Sequence, residues 1–385
     1  MTVEGDELDA KGNKKVEVLE LWHRDPIECI AESLGNPSFE HAQHFKPRGV
    51  FRRADRTGRE YDEMWTANWW WEIQDLLPED ATIVPIILAS DKTQLSTFCG
   101  DKQAWPVYIS IGNIKKAIRR QPSSHAMILL GYIPALKLDC ISKARRQFQA
   151  YQIFHDLQPL VKAGKDGVNM VCTDSWLRWV FPLLASYIAD YPEQCLVSCC
   201  RENSCPSCLC DPKLRAAREA FNLRTQSEIF RVLSEQSQGL QPDEFKEWNL
   251  QPINPFWADL PHCDIHACMT PDILHQLQKG VFSDHISKWA ASAMEETEEE
   301  RKKELDGRFR TMPMHPTLRH FSHGISGIKQ WTGSEYRDLA KTFVGALVET
   351  VDPEVVEVTR HVIDYMEYSH FELHTDESLA AMEQS

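Results

Sequence analysis

Three carboxylates stand at spacings where a catalytic metal site would need them. The run "TIVPIILAS" (82–90) ends at Asp91, "GVNMVCTD" (167–174) ends at Asp174, and Glu335 lies near the start of a helical segment, "WTGSEYRDLAK". An aspartate at the tip of a buried strand sits where the backbone stops pairing, so its carboxylate is rigidly held at the end of a sheet. Two-metal phosphoryl transfer needs such fixed carboxylates, because each ion must be held while the attacking and leaving oxygens are neutralised. The same residues also have structural uses: an Asx turn at Asp91, an N-cap at Asp174, a dipole-favoured first-turn carboxylate at Glu335.

A second constellation is sulfur-rich. Of the 12 cysteines, six (Cys195, Cys199, Cys200, Cys205, Cys208 and Cys210) fall within sixteen residues. Cys200-x4-Cys205-x2-Cys208 contains a Cys-x2-Cys knuckle, whose two thiolates have the bite that tetrahedral Zn²⁺ requires. A fourth ligand has to come from Cys199, Cys210, Cys263, His266 or His275, and buried structural thiols are the alternative use. In "TPDILHQLQKG", Asp272 and His275 share one helical face. In "IKKAIRRQ", Lys115, Lys116, Arg119 and Arg120 form a basic face suited to tracking phosphates or to plain solvation, and "KARRQ" (143–147) and "FRRADRTGRE" (51–60) add further charge.

These residues must be positioned by a folded core, and the 42% hydrophobic content with 12 Trp in 385 residues supplies one. The formal charge of −15 argues against a protein that coats nucleic acid and leaves only local basic clusters for such contacts. The start "MTVEGDELDA" lacks a signal-peptide pattern. The apolar stretch "WLRWVFPLLASYIA" carries Arg178 and is too short to span a bilayer, so a soluble intracellular protein is expected.

Strands are expected at 82–90, 104–114 and 125–136, then a helix over 141–164, a strand over 167–174, a helix over 175–194 interrupted by Pro182, and a short strand at 195–200. A three-strand meander followed by alternating helices and strands is the order of the α/β ribonuclease H-like fold, a mixed sheet flanked by helices. In that topology the first and fourth strands are neighbours, so Asp91 and Asp174 would meet. The segment 1–60 is expected to be poorly ordered, 61–210 to be the catalytic core with its cysteine cluster, 211–320 a mainly helical insertion, and 321–385 the last catalytic helix with an acidic tail.

The blocks "IILASDKTQLSTFCGDKQAWPVYISIGNIKKAIRRQPSSHAMILLGYIPALKL", "FPLLASYIADYPEQCLVSCC", "CPSC", "TPDILHQLQKGVFSDHISKW" and "ISGIKQWTGSEYRDLAKTF" resemble the Plavaka family of DNA transposases, which belongs with the Kyakuja–Dileera–Zisupton group. The resemblance runs from about Tyr61 to about Leu347. It implies an Asp-Asp-Glu triad using Mg²⁺ or Mn²⁺ to cut element ends and join them to target DNA. Asp91, Asp174 and Glu335 match the three acids in turn, and Asp272 with His275 matches an Asp-x-x-His signature. It also implies DNA ends and target DNA as partners, a homo-oligomer and a nuclear location; no membrane association and a structural Zn²⁺ at Cys200, Cys205, Cys208 and His275 are expected from the apolar stretch and the cysteine spacing. Where the family pattern reads "CADG" this chain reads "CTDS", with Ser175 for glycine, which leaves Asp101 and Asp190 as alternatives for the second acid. A truncated or domesticated, inactive module binding nucleic acid or protein is the rival reading.

Overall fold

The computed structural model describes residues 2–18, 22–95, 103–133, 140, 158–215, 217 and 219–385. They form two compact units, one of Met1–Arg48 with Glu63–Thr270, the other of Gly49–Asp62 with Pro271–Ser385. Among the described residues no helix is long and apolar enough to cross a membrane.

The first unit is mixed α/β. Its five-stranded sheet has β1 (Ala81–Ser90), β2 (Pro106–Ile111), β3 (Ile128–Tyr132), β4 (Val168–Val171) and β5 (Leu177–Ile188), in the order β4-β5-β1-β2-β3. β1 lies at the centre with nine of its ten residues buried, which is why it reads as a continuous apolar run rather than an alternating one. β2 pairs antiparallel to β1, and β3 antiparallel to β2. β5 pairs parallel to β1 from Trp179↔Ala81 to Ile188↔Ala89, with a register shift between Leu184 and Ser186. β4 pairs antiparallel to β5, closing a hairpin at Val171↔Leu177.

This arrangement departs from the expected one in three places. Residues 177–188 form a strand, not a helix. An apolar run of this length does not distinguish the two by periodicity. The strand beside β1 is therefore β5, and 168–171 becomes an edge strand. The expected strand at 195–200 is instead the end of a helix, α3 (Tyr191–Val197), started by the Asp190 N-cap and Pro192.

The amino-terminal region also contributes to the core. Helix α1 (Pro26–Gly35) is capped by Asp25 and buries Cys29, Ile30 and Leu34. The order expected to be missing from 1–60 comes from this apolar face. Of the helix expected at 141–164, residues 141–157 lie outside the described residues, and α2 (Gln158–Asp166) covers the remainder. Residues 211–270 join the first unit through apolar contacts such as fully buried Trp257, whose indole Nε1–H donates to Val197 O at 2.7 Å. The first unit thus runs past the expected boundary at 210 to Thr270, and 321–385 shares a unit with 271–320.

The second unit is helical, with α4 (Ile273–Ile286), α5 (Gly333–Leu347) and α6 (Pro353–Ser369) around Phe282, Phe309 and Phe343. Arg59–Tyr61 pairs with both Val50–Phe51 and His374–Thr375, which attaches Gly49–Asp62 to this unit.

Candidate active site

Parallel pairing makes β1 and β5 end together. The last paired residues are Ile188 and Ala89; beyond them β1 runs on through Ser90 to Asp91, and β5 is followed by Ala189 and Asp190. Both aspartates are exposed. Asp190 caps α3, its Oδ1 accepting the Glu193 N–H at 3.0 Å, while Asp91 Oδ2 accepts from Thr93 Oγ1 at 3.2 Å. Sequence reasoning had Asp190 only as an alternative; "ADYPEQ", a cap, a proline and a first-turn glutamate directly after an apolar run, was the available signal.

Beneath this pair lies a buried polar cluster. Glu193 is 5% exposed, and its Oε1 accepts from Trp105 Nε1 at 3.0 Å and from Ser90 Oγ. Ser90 Oγ is 2.7 Å from Tyr187 Oη. Gln194 Nε2 adds bonds to Ala189 O at 2.8 Å and Thr270 O at 2.7 Å. Burial raises the Glu193 pKa to about 7; the Ser90 and Trp105 hydrogen bonds oppose the rise, and the charges of Asp190 and Asp91 add to it. Nothing in the sequence distinguishes Glu193 from an ordinary first-turn glutamate.

Asp174 sits at the other end of the sheet, in the turn between β4 and β5. Arg178 donates to both of its carboxylate oxygens, NH1 to Oδ1 and NH2 to Oδ2, each at 2.6 Å. These bonds hold its pKa below the usual carboxylate range. The guanidinium also lies 3.9 Å from the Phe45 ring centroid. Asp174 and Asp91 therefore do not meet. The chain reverses through residues 172–176 instead of running on alongside β1. Asp101 lies outside the described residues.

Glu335 belongs to the second unit. It is buried at the start of α5 in a capping box, where its Oε2 accepts the Thr332 N–H at 2.7 Å and its Oε1 pairs with Arg319. Asp272 caps α4, accepting from Leu274 N at 2.8 Å and His275 N at 3.1 Å, and its second oxygen meets His275 Nδ1. The Asp-x-x-His pair is thus a cap whose carboxylate also holds the imidazole.

The described cysteines are free thiols. Cys205 Sγ accepts the Cys208 N–H at 3.3 Å, as in a Cys-x2-Cys turn. Cys200 is fully buried, with Sγ 3.5 Å from Ser198 Oγ and 4.0 Å from Cys205 O. His275 lies in the other unit. Among the described residues no group of three or more His, Cys, Asp or Glu side chains is gathered to hold a metal ion. The donors at the Asp91–Asp190 pair are carboxylate oxygens, which suit Mg²⁺ or Mn²⁺ and leave coordination positions for water and phosphate.

The basic segment divides. Arg119 is largely buried, donating from Nε to Ile114 O at 2.8 Å with NH2 3.9 Å from Glu63 Oε2, and burial lowers its pKa. Glu63 also accepts the Lys116 N–H at 3.0 Å. Lys115 and Arg120 are exposed.

Compared with known protein families, the chain matches the Plavaka transposase family over residues 1–290. Among curated proteins none matches it.

Proposed function

The chain belongs to the Plavaka transposase family, and from that premise we propose that the acidic end of the first unit's sheet is a metal-dependent site for DNA cleavage and strand transfer on a ribonuclease H-like core. The observation that supports this most is the common ending of β1 and β5 on Asp91 and Asp190. Asp190 takes the place of the second acid that the resemblance assigned to Asp174.

In this reading Asp91 and Asp190 would hold Mg²⁺ or Mn²⁺. The bound ion supplies Lewis acidity to the scissile phosphate and a more acidic attacking water. The two carboxylates act as fixed anionic donors, not as nucleophiles, and rigid strand ends set their separation before substrate arrives. Lys115 and Arg120 are exposed and would contact the DNA backbone, with Lys116 nearby, whereas Arg119 is held by Glu63 and Ile114. Glu335, the third acid implied by the family, is engaged within the second unit by Thr332 and Arg319. Action on chromosomal DNA accords with a nuclear location, and pairing of two element ends with a homo-oligomer.

The inactive binding-module reading rests on one observation, the full engagement of the Glu335 carboxylate. Nicking of supercoiled plasmid in Mg²⁺ separates the two. Asp91→Asn and Asp190→Asn should each lower the rate at least about 100-fold, the loss of several kcal/mol of metal-held stabilisation. Asp174→Asn should retain nicking. Equal rates in wild type, Asp91→Asn and Asp190→Asn would place the chemistry elsewhere or nowhere in this chain.

A further inference from the structure

We infer that Glu193 is a positioning residue, a buried acceptor that fixes the ends of β1, β2 and β5 so that Asp91 and Asp190 keep their separation. The inference rests on the proposed reading of that pair as the metal-holding acids.

Glu193 is the third residue of α3, the position from which a glutamate ordinarily reaches back to the N-cap backbone. Among the described residues, Glu300 with Thr297 and Glu335 with Thr332 do this. Glu193 does not. Its backbone N–H goes to Asp190 Oδ1, while its side chain turns inward and takes two donors on one oxygen, Ser90 Oγ–H and Trp105 Nε1–H. Because Ser90 spends its proton on Glu193, Tyr187 Oη–H donates to Ser90 Oγ.

Each partner sits next to something the site depends on. Ser90 directly precedes Asp91. Tyr187 lies on β5 three residues before Asp190. Trp105 directly precedes β2, whose Val107 pairs with Ser90. One buried oxygen therefore joins three strand ends and the helix that Asp190 caps. A carboxylate this buried is retained where its hydrogen bonds are filled, and Oε1 has both of its lone pairs occupied. Acting as a metal ligand through that oxygen would release Ser90 and Trp105 together.

The test separates an acceptor from a ligand. Glu193→Gln keeps an oxygen where Oε1 lies and removes the charge; Glu193→Ala removes both. For a positioning residue, Glu193→Gln should nick DNA and bind Mn²⁺ within about threefold of wild type, and Glu193→Ala should fall about 100-fold in nicking, the scale of an ångström's misplacement. The Trp105 indole N–H resonance, identified by its loss in Trp105→Phe, should stay near its wild-type position in Glu193→Gln and move in Glu193→Ala. Should Glu193→Ala fail to fold, Ser90→Ala and Trp105→Phe each remove one donor and should show the same loss in smaller measure. Glu193→Gln falling as far as Asp190→Asn would overturn the inference, since charge would then be required, and so would Glu193→Ala cleaving like wild type. If wild type does not nick at all, the proposed reaction fails and Mn²⁺ affinity decides. A tenfold loss in Glu193→Ala with Glu193→Gln at wild-type affinity supports positioning, and equal affinity in all three refutes it.

Discussion

Acid should loosen the first unit through one histidine. His266 is 4% exposed, and its Nδ1 bonds to Pro206 O at 2.8 Å, so the neutral ring carries its proton there. Nε2 is buried and has no partner among the described residues, so a second proton on the ring would have no acceptor. Burial lowers the pKa from 6.5 to about 4; the Pro206 bond opposes this, and the Arg224 charge adds to it. The unfolded chain takes up the proton near pH 6.5 and the native protein only near 4. Between those values the unfolded state binds more protons, so stability is complete above pH 6.5 and declines as pH falls toward 4. At about 1.4 kcal/mol per pH unit, the interval corresponds to about 3 kcal/mol, a sizeable part of a domain's net stability.

His266→Asn isolates this contribution, because its Nδ2–H can still donate toward Pro206 O and the group does not titrate. Urea unfolding from pH 7.5 to 4, followed by the emission of Trp257, whose ring centroid is 6.1 Å from that of His266, should show wild type losing about 3 kcal/mol more than the variant. Other groups titrate in both proteins and cancel in the difference. A difference between the two that stays constant from pH 7.5 to 4 would refute the reasoning.

Two stability changes can be read in the same urea assay. Ser175 has a φ of +64°, in the left-handed region that favours glycine, so Ser175→Gly should stabilise the β4–β5 hairpin and its unit by about 1 kcal/mol; a loss of stability would mean that the hydroxyl matters more than the backbone. Thr332→Ala removes the side-chain half of the α5 capping box and should cost the second unit about 1 kcal/mol, leaving the midpoint of the first unit unmoved.

The strand that leads to Asp91 was visible before any coordinates. The continuous apolar run 82–90 specifies a strand buried on both faces, and the polar residue ending it is Asp91. Expectation parted from structure at 175–200. There the apolar run of β5 has no periodicity to separate strand from helix, and the cap at Asp190 was taken for the interior of a helix. With 177–188 read as a helix, the strand ending at Asp174 was expected beside β1, where β5 lies instead. At Glu335 the local alternative, a carboxylate serving its own helix start, describes its contacts in the structure.

By itself the sequence determined the features whose causes lie within a few residues: the central strand, the carboxylate at its end, and the blocks that mark the family. Tertiary structure alone decided which strand lies beside β1, and so which aspartate follows the end of its parallel neighbour. The pairing Ile188↔Ala89 joins residues about a hundred positions apart, and local pattern carries no register across such a distance. It also decided the fate of Glu193. An ionisable side chain becomes a buried acceptor only when Ser90, Trp105 and Tyr187 are brought to it from separate strands, and none of those contacts is written in the residues around it.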